Sequence, residues 1–299
     1  MTEPDPFRAA VDQAVHQTWP DAPALDRWQG VPGGDINRAW RVHCGDRPLF
    51  VKGNRPELAW MFEAEARALQ EIAASGTVRV PGVVALVRST AGSALVLEHL
   101  ELRPLDEVGR RRLGKRLAAM HRVTGPRYGW EMDNTIGSTL QPNAGREDWV
   151  AFFRDQRLSH QLDVAENNGR GAALLEEGRH LCALLHGLFD GYRPEPSLLH
   201  GDLWGGNAAM DADGEPVIYD PATYWGDRET DIAMTELFGG FGHSFRESYA
   251  AAWPMDAGYG QRRPLYQLYH VLNHMNLFGG TYGDRAHTMI RQLLAELRG

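Results

Sequence analysis

His200-Gly201-Asp202-Leu203-Trp204-Gly205-Gly206-Asn207, followed by Val217-Ile218-Tyr219-Asp220, is the stretch on which the fold of this chain turns. An Asp followed five residues later by an Asn, on a loop between short strand-like runs at 197–200 and 207–210, brings a carboxylate and an amide oxygen to one place. A second Asp closes the next apolar run, 216–219. Phosphoryl transfer asks for such groups: a carboxylate that orients and deprotonates an attacking hydroxyl, and further oxygens that hold magnesium against nucleotide phosphates. Asp202 is then the candidate base, and Asn207 and Asp220 are the candidate metal ligands. Asp and Asn in glycine-rich turns also commonly bond their own backbone, and Gly205 and Gly206 fit that alternative. It leaves the upstream half of the chain unexplained.

That half reads as β-rich, with strands at 25–31, 39–44, 48–53, 83–88 and 94–98 after a short amphipathic helix at 6–18. A helix over about 57–74 interrupts the strands, with an apolar seam of Leu58, Met61, Phe62, Leu69 and Ile72. Of the 31 cationic residues only Lys52 and Lys115 are lysines. Lys52 falls inside a strand on the face opposite Leu49 and Val51, and Glu65 falls on the helix seam, so each is a buried charge unless they meet. In kinases a lysine held by a helix glutamate contacts the α- and β-phosphates, and the Asp-to-Asn spacing is that of the protein-kinase catalytic loop. Glu63 is the rival partner, but it lies about 200° around the helix from Glu65. The alternative for Lys52 is a strand-end lysine that snorkels into water. The Gly33-Gly34-Asp35-Ile36-Asn37 turn could cradle phosphates on backbone amides, which makes Gly33, Gly34 and Asn37 nucleotide-binding candidates, although the turn is not a G-x-G-x-x-G motif. Glu98-His99-Leu100 closes the last of these strands, where backbone groups of Glu98 and Leu100 could meet adenine; an ordinary strand end is the alternative.

From Pro104 the pattern is mainly helical, with helices expected near 106–123, 146–166, 171–188, 229–238, 260–279 and 284–297. The expectation is two lobes, residues 1–100 binding nucleotide and residues 101–299 carrying catalysis and substrate binding. At 299 residues and 43% hydrophobic the chain can bury a full core, and its formal charge of -8 gives no general attraction to nucleic acid or an anionic membrane. Two cysteines, Cys44 and Cys182, are too few for a disulfide framework. With no spanning apolar stretch and an acidic N-terminus, the expected compartment is the cytoplasm. His270 and His274 stand one turn apart without a metal-site pattern, which makes them helix-face or pocket residues. No G-x-S-x-G elbow supplies a hydrolase nucleophile, and no feature specifies an oligomeric state.

At these residues the sequence resembles the fructosamine kinase (ketosamine-3-kinase) family of the aminoglycoside-phosphotransferase-like and protein-kinase-like superfamily. The matching stretches are GGDINRAWRV (33–42), LFVKGN (49–54), MFEAEARAL (61–69), YGWEMDNTIGSTLQPN (128–143), DWVAFFRDQRL (148–158), LLHGDLWGGN (198–207), VIYDPATYWGDRETDIAMTELFGGF (217–241) and YQLYHVLNHMNLFGGTYG (266–283). Trp204 and the LFGGF segment set it apart from kinases in general. The resemblance implies an α+β, bilobal protein-kinase-like fold with a small β-rich N-lobe and a larger, mainly helical C-lobe. It implies ATP and magnesium as cofactors, and phosphorylation of a sugar hydroxyl on a small-molecule ketosamine, with no nucleic-acid or membrane partner. Position by position it makes Asp202 the base, Asn207 and Asp220 the magnesium ligands, Lys52 with Glu65 the phosphate pair, and Asp231 a brace for the catalytic loop. Asp220-Pro221-Ala222 stands where protein kinases have Asp-Phe-Gly, which argues against a switch built on a flipping Phe. Asp35 departs from the small neutral residue that a phosphate loop favours, since a carboxylate there repels phosphate. Trp204, on the loop of the base, is placed to touch the acceptor. Asp227 and Glu229 could add negative charge near a protonated ketosamine amine or, alternatively, cap the 229–238 helix, and His274 is a further acceptor-pocket candidate. The alternatives are a kinase for choline, another amino alcohol or an aminoglycoside, or a catalytically silent nucleotide-binding module. The latter is disfavoured because none of the proposed chemical positions is degraded.

Overall fold

Alternating polar and apolar residues fold the N-terminal stretch into a five-stranded antiparallel sheet, shown in a computed structural model that describes residues 5–32 and 36–297. Helix α1 (Pro6–Thr18) starts at Asp5, whose Oδ1 accepts the Phe7 N–H at 3.0 Å. Strands β1 (Leu25–Val31), β2 (Arg38–Cys44) and β3 (Arg47–Asn54) form a meander, followed by α2 (Ala59–Ala74), β4 (Val83–Ser89) and β5 (Gly92–Glu98). The sheet order is β1-β2-β3-β5-β4. Val42, Leu49, Val51, Val87, Ala94 and Val96 share a core with Val11, Ala14 and Val15 of α1. Because side chains alternate, burying Val51 in that core sends Lys52 to the other face, in register with Ala39 on β2 and Leu95 on β5.

A hairpin of Ala208–Met210 and Pro216–Ile218 joins this first unit. Met210 exchanges two backbone hydrogen bonds with Arg103, at 2.8 and 2.9 Å, and the Ile218 N–H donates to the Arg79 carbonyl at 3.0 Å. Arg79 also pairs with Asp211 at 3.1 Å. The first unit is therefore Met1–Pro104 with Ala209–Asp220, whereas a single division near residue 100 leaves that segment in the second.

The second unit, Leu105–Ala208 with Pro221–Gly299, is mainly helical. It contains α3 (Glu107–His121), a hairpin of β6 (Asn134–Ile136) and β7 (Thr139–Gln141), α4 (Trp149–Phe152), α5 (His160–Asn167), α6 (Ala172–Leu184), α7 (Glu229–Leu237), α8 (Gly242–Ala252), α9 (Tyr259–Phe278) and α10 (Tyr282–Glu296). Ser197–Leu198 pairs with Trp225–Gly226. The helix expected over 146–166 is broken by a π-helical stretch, Phe153–Ser159. This stretch carries the fully buried Arg157, whose guanidinium donates to Pro142 O and Asn143 Oδ1 and lies 4.0 Å from the Tyr224 ring. Helix α8 was not expected. No helix among the described residues is long and apolar enough to cross a membrane.

Helices α3 and α8 approach through Gly114, where an added Cβ would stand 2.5 Å from the Phe245 carbonyl oxygen. Ser248 Oγ donates to the Arg111 carbonyl across the same contact. Gly114→Ala favours helix locally but forces two backbones apart. The expected result is a net loss of about 1–3 kcal/mol, seen as a lower denaturant midpoint at unchanged m; a raised midpoint would refute the close packing.

Candidate active site

In the first unit, the strand that turns Lys52 away from the α1 core aims it at α2. Its Nζ lies 2.5 Å from Glu65 Oε1 and 2.5 Å from Asp220 Oδ1. The Lys52 side chain is 10% exposed and that of Glu65 15%. Burial alone would lower the Lys52 pKa, but the Asp220 and Glu65 carboxylates outweigh it and raise it, so the ammonium is held charged. Burial pushes the Glu65 carboxyl up, against the pull of Lys52. Glu63, the rival partner, pairs instead with Arg88. Asp220 takes a left-handed backbone conformation, φ 57°, unusual for a residue with a side chain and more tolerable for Asp than for most. Its side chain is 48% exposed.

In the second unit, the 200–207 loop hangs from Asp231. This carboxylate, 1% exposed, accepts the His200 N–H on Oδ2 at 2.8 Å and the Gly201 N–H on Oδ1 at 2.9 Å. Its Oδ2 also lies 3.1 Å from His121 Nε2. Burial pushes its carboxyl up, but the hydrogen bonds and charge of His121 and His200 outweigh it and hold Asp231 below the usual carboxylate range. His121 is fixed through Nδ1 by Tyr249 Oη at 2.8 Å, and Arg228 donates to the same oxygen at 3.0 Å. The glycine of His200-Gly201-Asp202 is required, since φ is +84° and a Cβ would stand 2.0 Å from the Ala222 carbonyl oxygen. His200 Nδ1 accepts the Asp202 N–H at 3.2 Å. Asn207 Nδ2 donates to the Asp202 carbonyl at 2.9 Å and stands 3.4 Å from its carboxylate, so Asp202 and Asn207 are brought together. Trp204 is 41% exposed, its ring folded over Gly206, where a Cβ would come within 2.3 Å of it. In the sequence His121, Tyr249 and Arg228 carry no signal beyond polarity.

The remaining candidates divide. Asn37 Oδ1 accepts from Asn54 Nδ2 at 2.7 Å, which ties the turn to the end of β3, while Gly33, Gly34 and Asp35 lie outside the described residues. The Glu98 carboxylate pairs with Arg79 at 2.8 Å and its N–H donates to Gly82 O at 2.8 Å. Leu100 is half-buried in the segment leaving β5. Asp227 and Glu229 are fully buried rather than surface carboxylates presented to an acceptor, and Asp227 Oδ1 accepts the Glu229 N–H at 2.9 Å at the start of α7, as the capping alternative expects. Asp227 accepts from Tyr266 at 2.5 Å and Tyr192 at 3.0 Å, and Glu229 holds Arg262 through two bonds at 2.8 and 3.0 Å. His274, half-buried, packs among aromatic rings, its ring 4.8 Å from Phe238 and 5.2 Å from Tyr282.

A small antiparallel sheet with a lysine–glutamate pair, and a helical unit with a braced His-Gly-Asp loop, define a protein-kinase-like fold. It is shared with choline kinase LicA of Streptococcus pneumoniae, at a TM-score of 0.64 and 14% identity over 97% of this chain and 99% of that one. The family follows from closer relatives. The fructosamine kinase model matches residues 8–296, and the chain belongs to that family. It is 42% identical over 295 residues to a protein of Synechocystis sp. described as a probable ketoamine kinase, covering 98% of this chain and 99% of the relative. It is also similar to the crystal structure of a Haemophilus somnus 129PT protein assigned as a fructosamine-3-kinase, with a TM-score of 0.88 and 28% identity over 96% of this chain and 97% of that one.

The buried Asp227–Glu229–Arg262 network has a pH signature of its own. Burial pushes Glu229 up to about 7 against the pull of Arg262, and pushes Asp227 up as well. Both carboxyls therefore bind protons more readily folded than unfolded, and their contribution to stability falls as pH rises from the ordinary carboxylate range towards 7. Arg262→Met removes the opposing charge and is expected to cost about 3–5 kcal/mol at pH 8, with a smaller loss at pH 5.5, where Glu229 can stay protonated. Denaturant midpoints at the two pH values check this, and equal losses at both would show that the network is not set by an ionised Glu229.

Proposed function

We propose that this chain is an ATP-dependent kinase that phosphorylates a sugar hydroxyl of a low-molecular-weight ketosamine, with Asp202 as the base. The observation that carries this reading is the Lys52 ammonium held 2.5 Å from both Glu65 and Asp220 in a chain of the fructosamine kinase family. Lys52, kept charged by its two carboxylates, would hold nucleotide phosphates, and Glu65 would fix its direction. The Glu98 carbonyl and the Leu100 backbone would meet the nucleobase. His99 Nδ1, between them, is buried with no hydrogen-bond partner among the described residues, an atom that a polar ligand edge would satisfy.

The donor set suits magnesium. Among the described residues no group of three or more His, Cys, Asp or Glu could hold a metal, but magnesium usually takes one or two protein oxygens and completes its shell with phosphate and water. Asn207 commits Nδ2 to the Asp202 carbonyl, so Oδ1 is what it has to offer a metal, and Asp220 offers a carboxylate. When bound, magnesium neutralises charge on the phosphates. Asp202 then accepts the proton of the attacking hydroxyl, its direction set by the Asn207 amide and by the backbone that Asp231 grips. Trp204 would pack against the acceptor, since sugars present C–H faces and a protonated amine is attracted to an indole face.

Coupled measurement of ATP consumption tests the acceptor. Turnover of a ribulosamine and a fructosamine, with little on choline, is expected; turnover of choline alone would overturn the ketosamine and leave the kinase. Asp202→Asn keeps the shape but cannot accept the proton. Its kcat should fall about 10²–10⁴-fold while ATP affinity barely moves, and parallel losses in both would make Asp202 structural.

A further inference from the structure

Helices α7 and α9 end alike, Phe238-Gly239-Gly240 and Phe278-Gly279-Gly280, with all four glycines at positive φ. Such glycines let the chain leave a helix abruptly, and both rings stay uncovered, Phe238 at 37% and Phe278 at 57% exposure. His274 lies between them, its ring 4.8 Å from Phe238 and 5.6 Å from Phe278, with Tyr282 at 5.2 Å. Burial, with the Arg285 charge, lowers the His274 pKa, and its Nδ1–H donates to the His270 carbonyl at 2.8 Å. The surface is therefore aromatic at its centre, with Arg285 acting on His274 and the Arg170 guanidinium beside Gly279 at its border.

This surface continues into the loop of the proposed base. A Cβ on Gly240 would stand 3.1 Å from Gly205 Cα, and one on Gly205 would stand 3.3 Å from the Gly239 carbonyl oxygen. Gly205 follows Trp204, itself 41% exposed. Trp204 and Phe238 thus each adjoin a glycine of one backbone contact, and Phe278 joins Phe238 through the His274 ring, whereas isolated exposed apolar side chains are what a protein surface ordinarily shows.

We propose that Phe238, His274, Phe278 and Tyr282 form the subsite for the amine-side hydrocarbon of the ketosamine, next to the sugar on Trp204. This rests on the ketosamine reading and adds which part of the substrate sets specificity. An acceptor has two ends: the sugar that reacts at Asp202, and the amine substituent that extends away from it. An aromatic patch beside the loop suits an aliphatic or aromatic substituent.

Ribulosamines of methylamine and benzylamine share the reacting sugar and differ only in that substituent. Wild type is expected to favour the benzylamine adduct by about tenfold in kcat/KM. Phe278→Ala, at a side chain that is mostly exposed, should cut that preference to within about twofold, chiefly through KM, with the methylamine adduct within about twofold of wild type. Phe238→Ala should act in the same direction. An unchanged preference in both variants, or equal losses on both substrates, overturns the subsite. If wild type phosphorylates neither adduct, the ketosamine reading falls and the subsite falls with it.

Discussion

Asp231 is the anchor for the catalytic loop. Two consecutive backbone N–H groups, of His200 and Gly201, end on its two oxygens. The turn they belong to has φ +84° at Gly201 and closes when the Ala222 N–H donates to the His200 carbonyl at 2.8 Å. No regular ladder can take those donors, and leaving buried N–H groups unpaired costs about 1–3 kcal/mol each. A charged acceptor satisfies both more strongly than a neutral one. Its own burial is offset by His121 from α3, which is fixed by Tyr249 from α8, which in turn receives Arg228. The close approach of α3 and α8 at Gly114 is what allows His121 and Tyr249 to meet. A packing feature of two helices is thereby linked to the direction of Asp202.

The other half of the chemistry rests on an unequal count of groups. One ammonium faces two carboxyl groups, and burial pushes the Glu65 carboxyl up. Glu65 is largely buried and belongs to Lys52, whereas Asp220 is half exposed on a backbone conformation that most side chains avoid. Strain of this kind persists where neighbouring structure over-determines it. Here the hairpin fixed by Arg79 and Arg103 supplies that constraint, delivering Asp220 at its end.

What was legible in the sequence followed from unpaired charge. Lys52 in an apolar strand and Glu65 on an apolar seam could be matched because each made the other reasonable, and the structure joins them. Asp202 and Asn207 were readable because five residues of loop separate them. The misses have equally physical causes. A three-residue strand such as β6 or β7 is too short to show alternation, and the extra residue of a π-helical turn does not disturb a hydrophobic period enough to be seen over Phe153–Ser159. Helix α8 begins in a glycine-rich segment that reads as a turn. Asp227 and Glu229 looked available because they are charged, but their partners Tyr192, Tyr266 and Arg262 lie 33 to 39 residues away, beyond any local pattern.

That last case shows which exposures carry information about ligands. In the second unit Asp227, Glu229, Arg262 and Arg157 lie inside, at most 3% exposed, each held by hydrogen bonds or ring faces. The aromatic rings of Trp204, Phe238 and Phe278 are outside, at 37–57%. The Asp227 and Glu229 carboxyls are taken up by Tyr192, Tyr266 and Arg262, which leaves them little to offer a ligand. An exposed ring is the reverse, an apolar face open to solvent, and Trp204 and Phe238 beside one backbone contact, with Phe278 joined through His274, present an area that an apolar substituent can cover. The selectivity of this unit is therefore to be sought in its rings and the glycine turns that uncover them, while its buried acids hold the frame on which those rings are set.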